Sequence, residues 1–266
     1  MNYEKIANKI CARLREYARG AKREVGIVGL SGGVDSAVTA ALAARAFGAK
    51  NVIGVIMPTK ITKKEDVEDA RGMARALGIR VVEIDIEDIV SLMEKKLRNL
   101  RAHARGVSDV GAGAVAREKA RAGVRGMSEV DVGNLAARVR MAILYNIAAR
   151  EKGLVIGTGD KSEISIGYFT KYGDGGADIF PIGALYKTEV RKLARALGIP
   201  ERIAQKPASP GLWRKQTAER ELGACYEVID EVLRARGARH WGIGKKILRR
   251  ALETEHKRRM PEIVKV

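Results

Sequence analysis

Short apolar runs alternate with longer amphipathic stretches along the first hundred residues. Val25-Gly-Ile-Val-Gly-Leu30 is apolar throughout and reads as a strand buried on both faces. After it Val34, Ala37, Val38, Ala41 and Leu42 recur at helical spacing, and Gly48 closes that helix. Val52-Ile-Gly-Val-Ile56 predicts a second strand, residues 65–77 a helix ending at Gly78, and Arg80-Val-Val-Glu-Ile84 a third strand. Farther on, the pattern predicts a helix over about 134–151, a strand over 153–157 and a helix over 187–197. Strands alternating with helices at this interval build βαβ units. The expected fold class is α/β: a Rossmann-like open parallel sheet with helices on both faces.

Two stretches break the rhythm. Residues 101–126 carry five glycines and six basic residues, with too few apolar positions to bury a core of their own. They read as an excursion, at about 101–131, from a single domain spanning 1–266. Residues 207–217 hold Pro, Ser and Gly and read as a loop. So does the Gly- and Asp-rich segment 168–176.

The composition, with 46% hydrophobic and 31% charged residues, is that of a soluble globular chain. No apolar run approaches the roughly 18 residues that cross a bilayer, and the charged N-terminus lacks a signal-peptide apolar segment. The expectation is a cytoplasmic protein with no membrane partner. Cys11 and Cys225 stand apart and belong to no CxxC pair, which excludes a disulfide scaffold or a thiolate zinc site. Both read as small core residues. The net charge of +18 attracts polyanions, either nucleic acid or phosphate-bearing small molecules. Aromatics make up only 5%, so there is little material for base-stacking platforms.

The junction Ser31-Gly-Gly-Val-Asp-Ser36 carries the strongest chemical signal. A helix N-terminus presents free N–H groups and partial positive charge, and Gly32 and Gly33 let the backbone approach an anion closely. With the hydroxyls of Ser31 and Ser36 they form a phosphate cradle. No GxxxxGK[ST] occurs in the chain, so this is not a Walker A loop. Asp35 lies inside the cradle, and a carboxylate beside a phosphate calls for a bridging cation, most simply Mg2+. Glu163 follows the fourth strand at its carboxyl end, where open α/β sheets bind ligands, and can face the same metal. Taken alone, Glu163 also reads as a helix cap.

SGGVDS resembles the pyrophosphatase loop of ATP-dependent adenylating enzymes. Longer strings resemble the NAD synthetase family: GTGDKSE at 157–163, GYFTKYGDGG at 167–176, PIG at 181–183, LYKTE at 185–189, LW at 212–213 with QT at 216–217, and HKR at 256–258. The resemblance covers nearly the whole chain and implies an adenine nucleotide alpha-hydrolase-like fold. It implies adenylation of the nicotinate carboxylate of deamido-NAD by the co-substrate ATP, with Mg2+, and then attack by ammonia to give NAD and AMP. Position by position, it implies ATP contacts at Gly29, Leu30, Ser31, Gly32, Gly33, Val34, Asp35, Ser36, Thr158, Lys187 and Ser209, and a metal site at Asp35 and Glu163. It implies deamido-NAD contacts at Arg138, Lys171, Asp178, His256 and Lys257, with Asp174 placed to take a proton from ammonia. Considered by themselves, Arg138, Arg140 and His256 are ordinary surface residues.

The resemblance also implies a homodimer with deamido-NAD near the subunit interface. Asp160 stands where many relatives have Asn, and Ala218 and Arg220 interrupt an acidic run. Only one short helix precedes the signature that begins at Gly29, which leaves no room for a glutamine-hydrolysing domain, so free ammonia is the expected nitrogen source. The competing reading is a tRNA-modifying ATP pyrophosphatase that uses the basic charge to grip RNA. Neither lone cysteine lies near a motif to serve such an enzyme, and no nucleic-acid partner is expected.

Overall fold

A computed structural model of the chain describes residues 2–106, 127–209, 211, 213, 216–235 and 241–264. Helix α1 (Tyr3–Gly20) leads into β1 (Val25–Gly29), α2 (Val34–Phe47), β2 (Val52–Ile56), α3 (Lys64–Leu77), β3 (Arg80–Glu83) and α4 (Glu87–Gly106). Then come α5 (Glu129–Arg150), β4 (Gly153–Val155), α6 (Lys161–Ser165), α7 (Lys187–Ala196) and α8 (Glu201–Ala204). The chain ends with α9 (Ala218–Leu222), α10 (Tyr226–Arg234) and α11 (Trp241–Glu253). Among the described residues the four predicted strands form one parallel sheet in the order β3-β2-β1-β4. The fold class is therefore the expected α/β sheet covered on both faces.

The pleat sorts the strand residues between two cores. Val28, Val52, Ile56, Leu154 and Ile156 pack with α1, α2, α3 and α7. Ile27, Ile53, Val55 and Val155 turn to the other face, toward α4 and α5. Alternate residues fill opposite cores because successive side chains of a strand point to opposite faces. A third cluster joins Ile166, Leu222, Tyr226, Ile229 and Ile247, and binds α6, α9, α10 and α11 together.

Strand β1 pairs with β2 on one side and with β4 on the other. The chain winds outward from β1 in both directions, so the order reverses between β1 and β4. Such a switch point opens a crevice at the carboxyl ends of the two strands. The loop after β1 and the turn after β4 both lead into it.

The excursion expected at about 101–131 falls largely on 107–126, outside the described residues; residues 101–106 close α4 and residues 129–131 open α5. Cys225 departs from expectation. Cys11 is buried, but Cys225 is exposed at the N-cap of α10, where the chain turns outward before the helix begins. No described helix is long and apolar enough to cross a membrane.

Leu42 on α2 is fully buried in the larger core. Leu42→Ala should lower unfolding stability by about 2–5 kcal/mol in a denaturant titration, and a loss under about 1 kcal/mol would contradict this packing.

Candidate active site

The phosphate cradle is built by backbone. At the end of β1 the Leu30 N–H donates to Val55 O at 2.8 Å, and the Leu30 side chain drops into the core above Gly54. A Cβ on Gly54 would come within 2.4 Å of Leu30 Cδ1. Val34, the first residue of α2, is also buried. Leu30 and Val34 thus anchor the two ends of the loop and can offer a ligand only their main chain. Between them Gly32 takes φ +75°, and a Cβ there would lie 2.1 Å from Asp66 O. No side chain caps α2 at Gly33. Ser36 Oγ donates to Gly33 O at 3.0 Å and accepts from the Ser31 N–H at 3.2 Å. The Gly33 N–H donates to Ser31 Oγ at 3.3 Å. The two hydroxyls, 3.1 Å apart, hold the turn in shape.

Beside this loop three acids converge on one cation. Asp35 comes from the first turn of α2, Asp160 and Glu163 from the head of α6, and Lys187 from the first residue of α7. Lys187 Nζ donates to Asp35 Oδ2 at 2.7 Å and to Glu163 Oε1 at 2.9 Å. Asp160 Oδ2 lies 2.8 Å from the same nitrogen as a charge contact, outside hydrogen-bond geometry. The Lys187 and Asp160 side chains are 0% exposed, those of Asp35 and Glu163 about a fifth. Burial works to strip the proton from Lys187, but Asp160, Asp35 and Glu163 raise its pKa well above that of an ordinary lysine. Burial pushes the Asp160 and Glu163 carboxyls upward, against the pull of Lys187.

The surroundings hold this arrangement. Asp160 Oδ1 caps α6 by accepting the Glu163 N–H at 2.8 Å, so the cap is Asp160 and the Glu163 carboxylate is free to turn to Lys187. Tyr226 OH donates to Glu163 Oε1 at 3.2 Å. The Lys187 N–H donates to Ser162 Oγ at 2.9 Å, and Ser162 Oγ donates to buried Asp230. Asp230 also takes the Thr188 N–H at 3.0 Å, tying the start of α7 to α10.

Carboxylate oxygens of Asp35, Asp160 and Glu163 lie within 4.8 Å of one another. Three carboxyl groups share one ammonium, and buried Asp35 Oδ1 has no hydrogen-bond partner. Hard oxygen donors with spare negative charge and an unspent lone pair fit a divalent cation such as Mg2+.

The other expected site residues are held by separate contacts. Lys171 Nζ donates to His256 O at 2.8 Å. Lys257 Nζ donates to Gly167 O and Phe169 O at 3.0 and 2.9 Å. Lys171 thus meets the backbone of His256, and Lys257 that of the 167–169 loop. Asp174 Oδ1 accepts the Thr170 N–H at 2.8 Å. Its residue is open to solvent yet ringed by protein, and that crowding raises its pKa. Asp178 Oδ2 takes the Val155 N–H at 2.7 Å and Oδ1 the Tyr145 hydroxyl at 3.3 Å, which orients the carboxylate and leaves each oxygen a further lone pair. Arg138 stands exposed on α5, whereas Arg140 turns inward and donates to Met57 O at 3.1 Å. Thr158 follows β4 at the crevice, and Ser209 is exposed beyond α8, its Oγ accepting the Gly211 N–H at 3.2 Å.

The NAD synthase sequence family matches residues 6–261. The chain belongs to that family. It is 43% identical over 275 residues to the NH(3)-dependent NAD(+) synthetase of Hyperthermus butylicus, covering 98% of this chain and 90% of that one. Among solved structures it is similar to the NH3-dependent NAD synthetase of Campylobacter jejuni (TM-score 0.75, 31% identity) and to an NMN synthetase of Francisella tularensis (TM-score 0.83, 30% identity), each over the full length of both chains. The NAD synthase family consists of ligases that amidate deamido-NAD at the expense of ATP.

Sequence reasoning placed Asp35 and Glu163 together and missed the depth of Asp160. Its signal is the spacing Asp160-x-x-Glu163, which sets a cap ahead of the acid it orients. Tyr226 had no such signal, because only the tertiary fold brings α10 to the site. Glu219 and Glu221, left by the interrupted acidic run, serve locally. Glu221 accepts from Gln216 Nε2 at 2.6 Å, and Glu219 from the Tyr226 N–H at 3.3 Å.

Lys187→Met should leave three acids crowded without their cation. The variant should lose about 3–5 kcal/mol of stability in metal-free buffer, because one partner of a buried ionic group has gone. A melting temperature equal to that of the parent would refute this account of the cluster.

Proposed function

We propose that this chain amidates deamido-NAD with free ammonia, using ATP and Mg2+, through an adenylated nicotinate. The observation that carries this reading is the convergence of Asp35, Asp160 and Glu163 beside an uncapped, glycine-lined helix N-terminus at the switch point of the sheet. A carboxylate is a poor electrophile, and transfer of AMP to it supplies a good leaving group. The protein must therefore bring two anions together and hold them while charge moves to pyrophosphate.

Residues 29–36 cradle the triphosphate, with Thr158 and Ser209 at its edges. Asp35 and Glu163 hold Mg2+, backed by Asp160. Bound Mg2+ would neutralise the phosphate oxygens and the departing pyrophosphate. Lys187 keeps the three acids from repelling one another and gives the phosphate side a fixed positive charge. Arg138, Lys171, Asp178, His256 and Lys257 take deamido-NAD on the other wall. The raised pKa of Asp174 makes it a better proton acceptor than an ordinary aspartate, suited to ammonia as it attacks. Ammonia as the nitrogen source is supported by the name of the Hyperthermus butylicus relative, which this chain matches over nearly its own whole length.

Two further points belong to this reading. Ile89, Leu92, Met93 and Leu97 are exposed on one face of α4, and Val130 is exposed at the start of α5. This apolar face is the surface we assign to a homodimer. Arg138, two turns along α5 from Val130, would then stand where a partner subunit meets the substrate. The reaction draws on ATP and a dinucleotide precursor, which suits the cytoplasm. The similarity to the Francisella tularensis NMN synthetase favours a second reading, in which the carboxylate belongs to the corresponding mononucleotide.

Incubation with ATP, Mg2+, ammonium and deamido-NAD should release NAD, AMP and pyrophosphate, with slower turnover of nicotinate mononucleotide. Pyrophosphate that appears only when tRNA is added would overturn the assignment, and faster turnover of the mononucleotide would transfer it to the second reading. Asp35→Ala should abolish pyrophosphate release with an unchanged far-ultraviolet spectrum, and normal turnover would remove the metal assignment. Leu92→Glu should convert the dimer to a monomer in sedimentation; an unaltered dimer would place the interface elsewhere.

A further inference from the structure

Lys206 has no part in the reading above, yet it touches the phosphate loop from behind. It follows α8 and precedes Ser209 by three residues. Its Nζ donates to Asp66 Oδ1 at 2.7 Å and to Asp69 Oδ2 at 2.6 Å, both on α3. Its third donor goes to Gly32 O at 3.0 Å. The three N–H bonds of the ammonium are thus all engaged. Arg202 secures Asp69 from the other side, Nη1 to Oδ1 at 2.6 Å. The Lys206 side chain is 23% exposed.

An ion pair between α3 and the segment after α8 would need only the two aspartates. The bond to Gly32 is the additional feature, and its geometry has a consequence. Gly32 sits at φ +75° directly on the first turn of α3, with no room for a Cβ beside Asp66 O. The chain has no cis peptide among its described residues. In a trans peptide the carbonyl of Gly32 and the N–H of Gly33 point in opposite directions. A cation gripping that carbonyl from the α3 side turns the Gly33 N–H to the opposite side, where it donates to Ser31 Oγ at 3.3 Å. The same cation polarises the peptide, which strengthens its N–H as a donor to Ser31 Oγ.

We infer that Lys206 is a positioning residue of the phosphate loop: by holding the Gly32–Gly33 peptide plane, and with it the Gly33 N–H bond to Ser31 Oγ, it fixes the shape of the cradle and sets the affinity for ATP. The inference rests on the proposed use of ATP and deepens it. Lys187 cannot do this work, because its ammonium is enclosed by Asp35, Asp160 and Glu163. The division of labour is one lysine for the acids and another for the loop backbone.

Three variants test this: Lys206→Met, Lys206→Arg, and Lys206→Met combined with Asp66→Asn and Asp69→Asn. Lys206→Met should raise the KM for ATP roughly tenfold or more, the scale of a lost charge-assisted hydrogen bond. Its kcat and its KM for deamido-NAD should not change. Lys206→Arg should recover part of the ATP affinity. The triple variant has no unpaired acids, so its melting temperature should return toward the parent value while the KM for ATP stays high. Recovery of ATP affinity along with melting temperature would overturn the inference, and so would a parallel rise in both KM values. Calorimetric titration with MgATP needs no turnover and keeps the two readings apart. Binding by the parent without amidation would sink the proposed function alone, whereas equal affinity of the parent and Lys206→Met would sink the role of Lys206 alone.

Discussion

Three carboxylates can sit within 4.8 Å of one another, largely out of water, only because a buried ammonium stands between them. Like charges at that spacing repel strongly in a medium of low dielectric constant. Lys187 converts the repulsion into a cluster that retains negative charge for a cation. Much of the C-terminal half serves to keep this lysine in place. Its backbone is fixed through Ser162 and Asp230, and Asp230 belongs to α10. Tyr226, from the same helix, is at once the largest fully buried side chain of the third core and a donor to Glu163. The small C-terminal core is therefore a support for the site as well as a means of burying apolar surface.

The sheet solves a different problem, that of distance along the chain. Asp35 and Glu163 are far apart in sequence, and parallel pairing of β1 with β4 brings the segments that follow these strands side by side. The register couples Ile27 to Val155, which sets β1 running two residues beyond the end of β4. Any slip in that register would carry Asp160 and Glu163 away from Asp35. The tight glycine contacts around the crevice serve the same end. Gly157 would place a Cβ 2.5 Å from the Phe180 ring, so the chain leaving β4 can follow its path only without a side chain.

How much of this was legible depended on whether a feature is local. Strands β1, β2 and β4 announce themselves as unbroken apolar runs because both faces are covered, and SGGVDS announces itself because the cradle is made within six consecutive residues. Glu163 could be placed from its position after a strand. Helix α4 has no counterpart in the sequence reading, and its structure supplies a reason: Ile89, Leu92, Met93 and Leu97 keep helical spacing but face outward, so none of the cores among the described residues fixes their meaning. Helix α11 lay inside a basic stretch over 234–259 whose charge drew attention from its apolar positions. Tyr226, Asp230 and Lys206 act only through contacts between distant segments, which periodicity and spacing do not record. Cys225 shows the reverse error: its residue type favours burial, but the turn ahead of α10 leaves it outside.

The charge of the whole chain and the charge of the site have opposite signs, and the contrast bears on what the protein receives. A net +18 surrounds a cluster in which three acids meet one lysine. A uniformly basic crevice would hold free nucleotide phosphates without needing a metal. An acidic pocket behind a phosphate cradle instead favours phosphates that arrive with their cation, since the acids reject the bare anion and welcome the ion pair. The surrounding lysines and arginines then act at longer range, drawing polyanions toward the crevice through a field that salt weakens. That combination suits two negatively charged substrates which must meet in one crevice. It suits RNA poorly, because a polynucleotide would find the basic surface without the aromatic platforms on which bases stack.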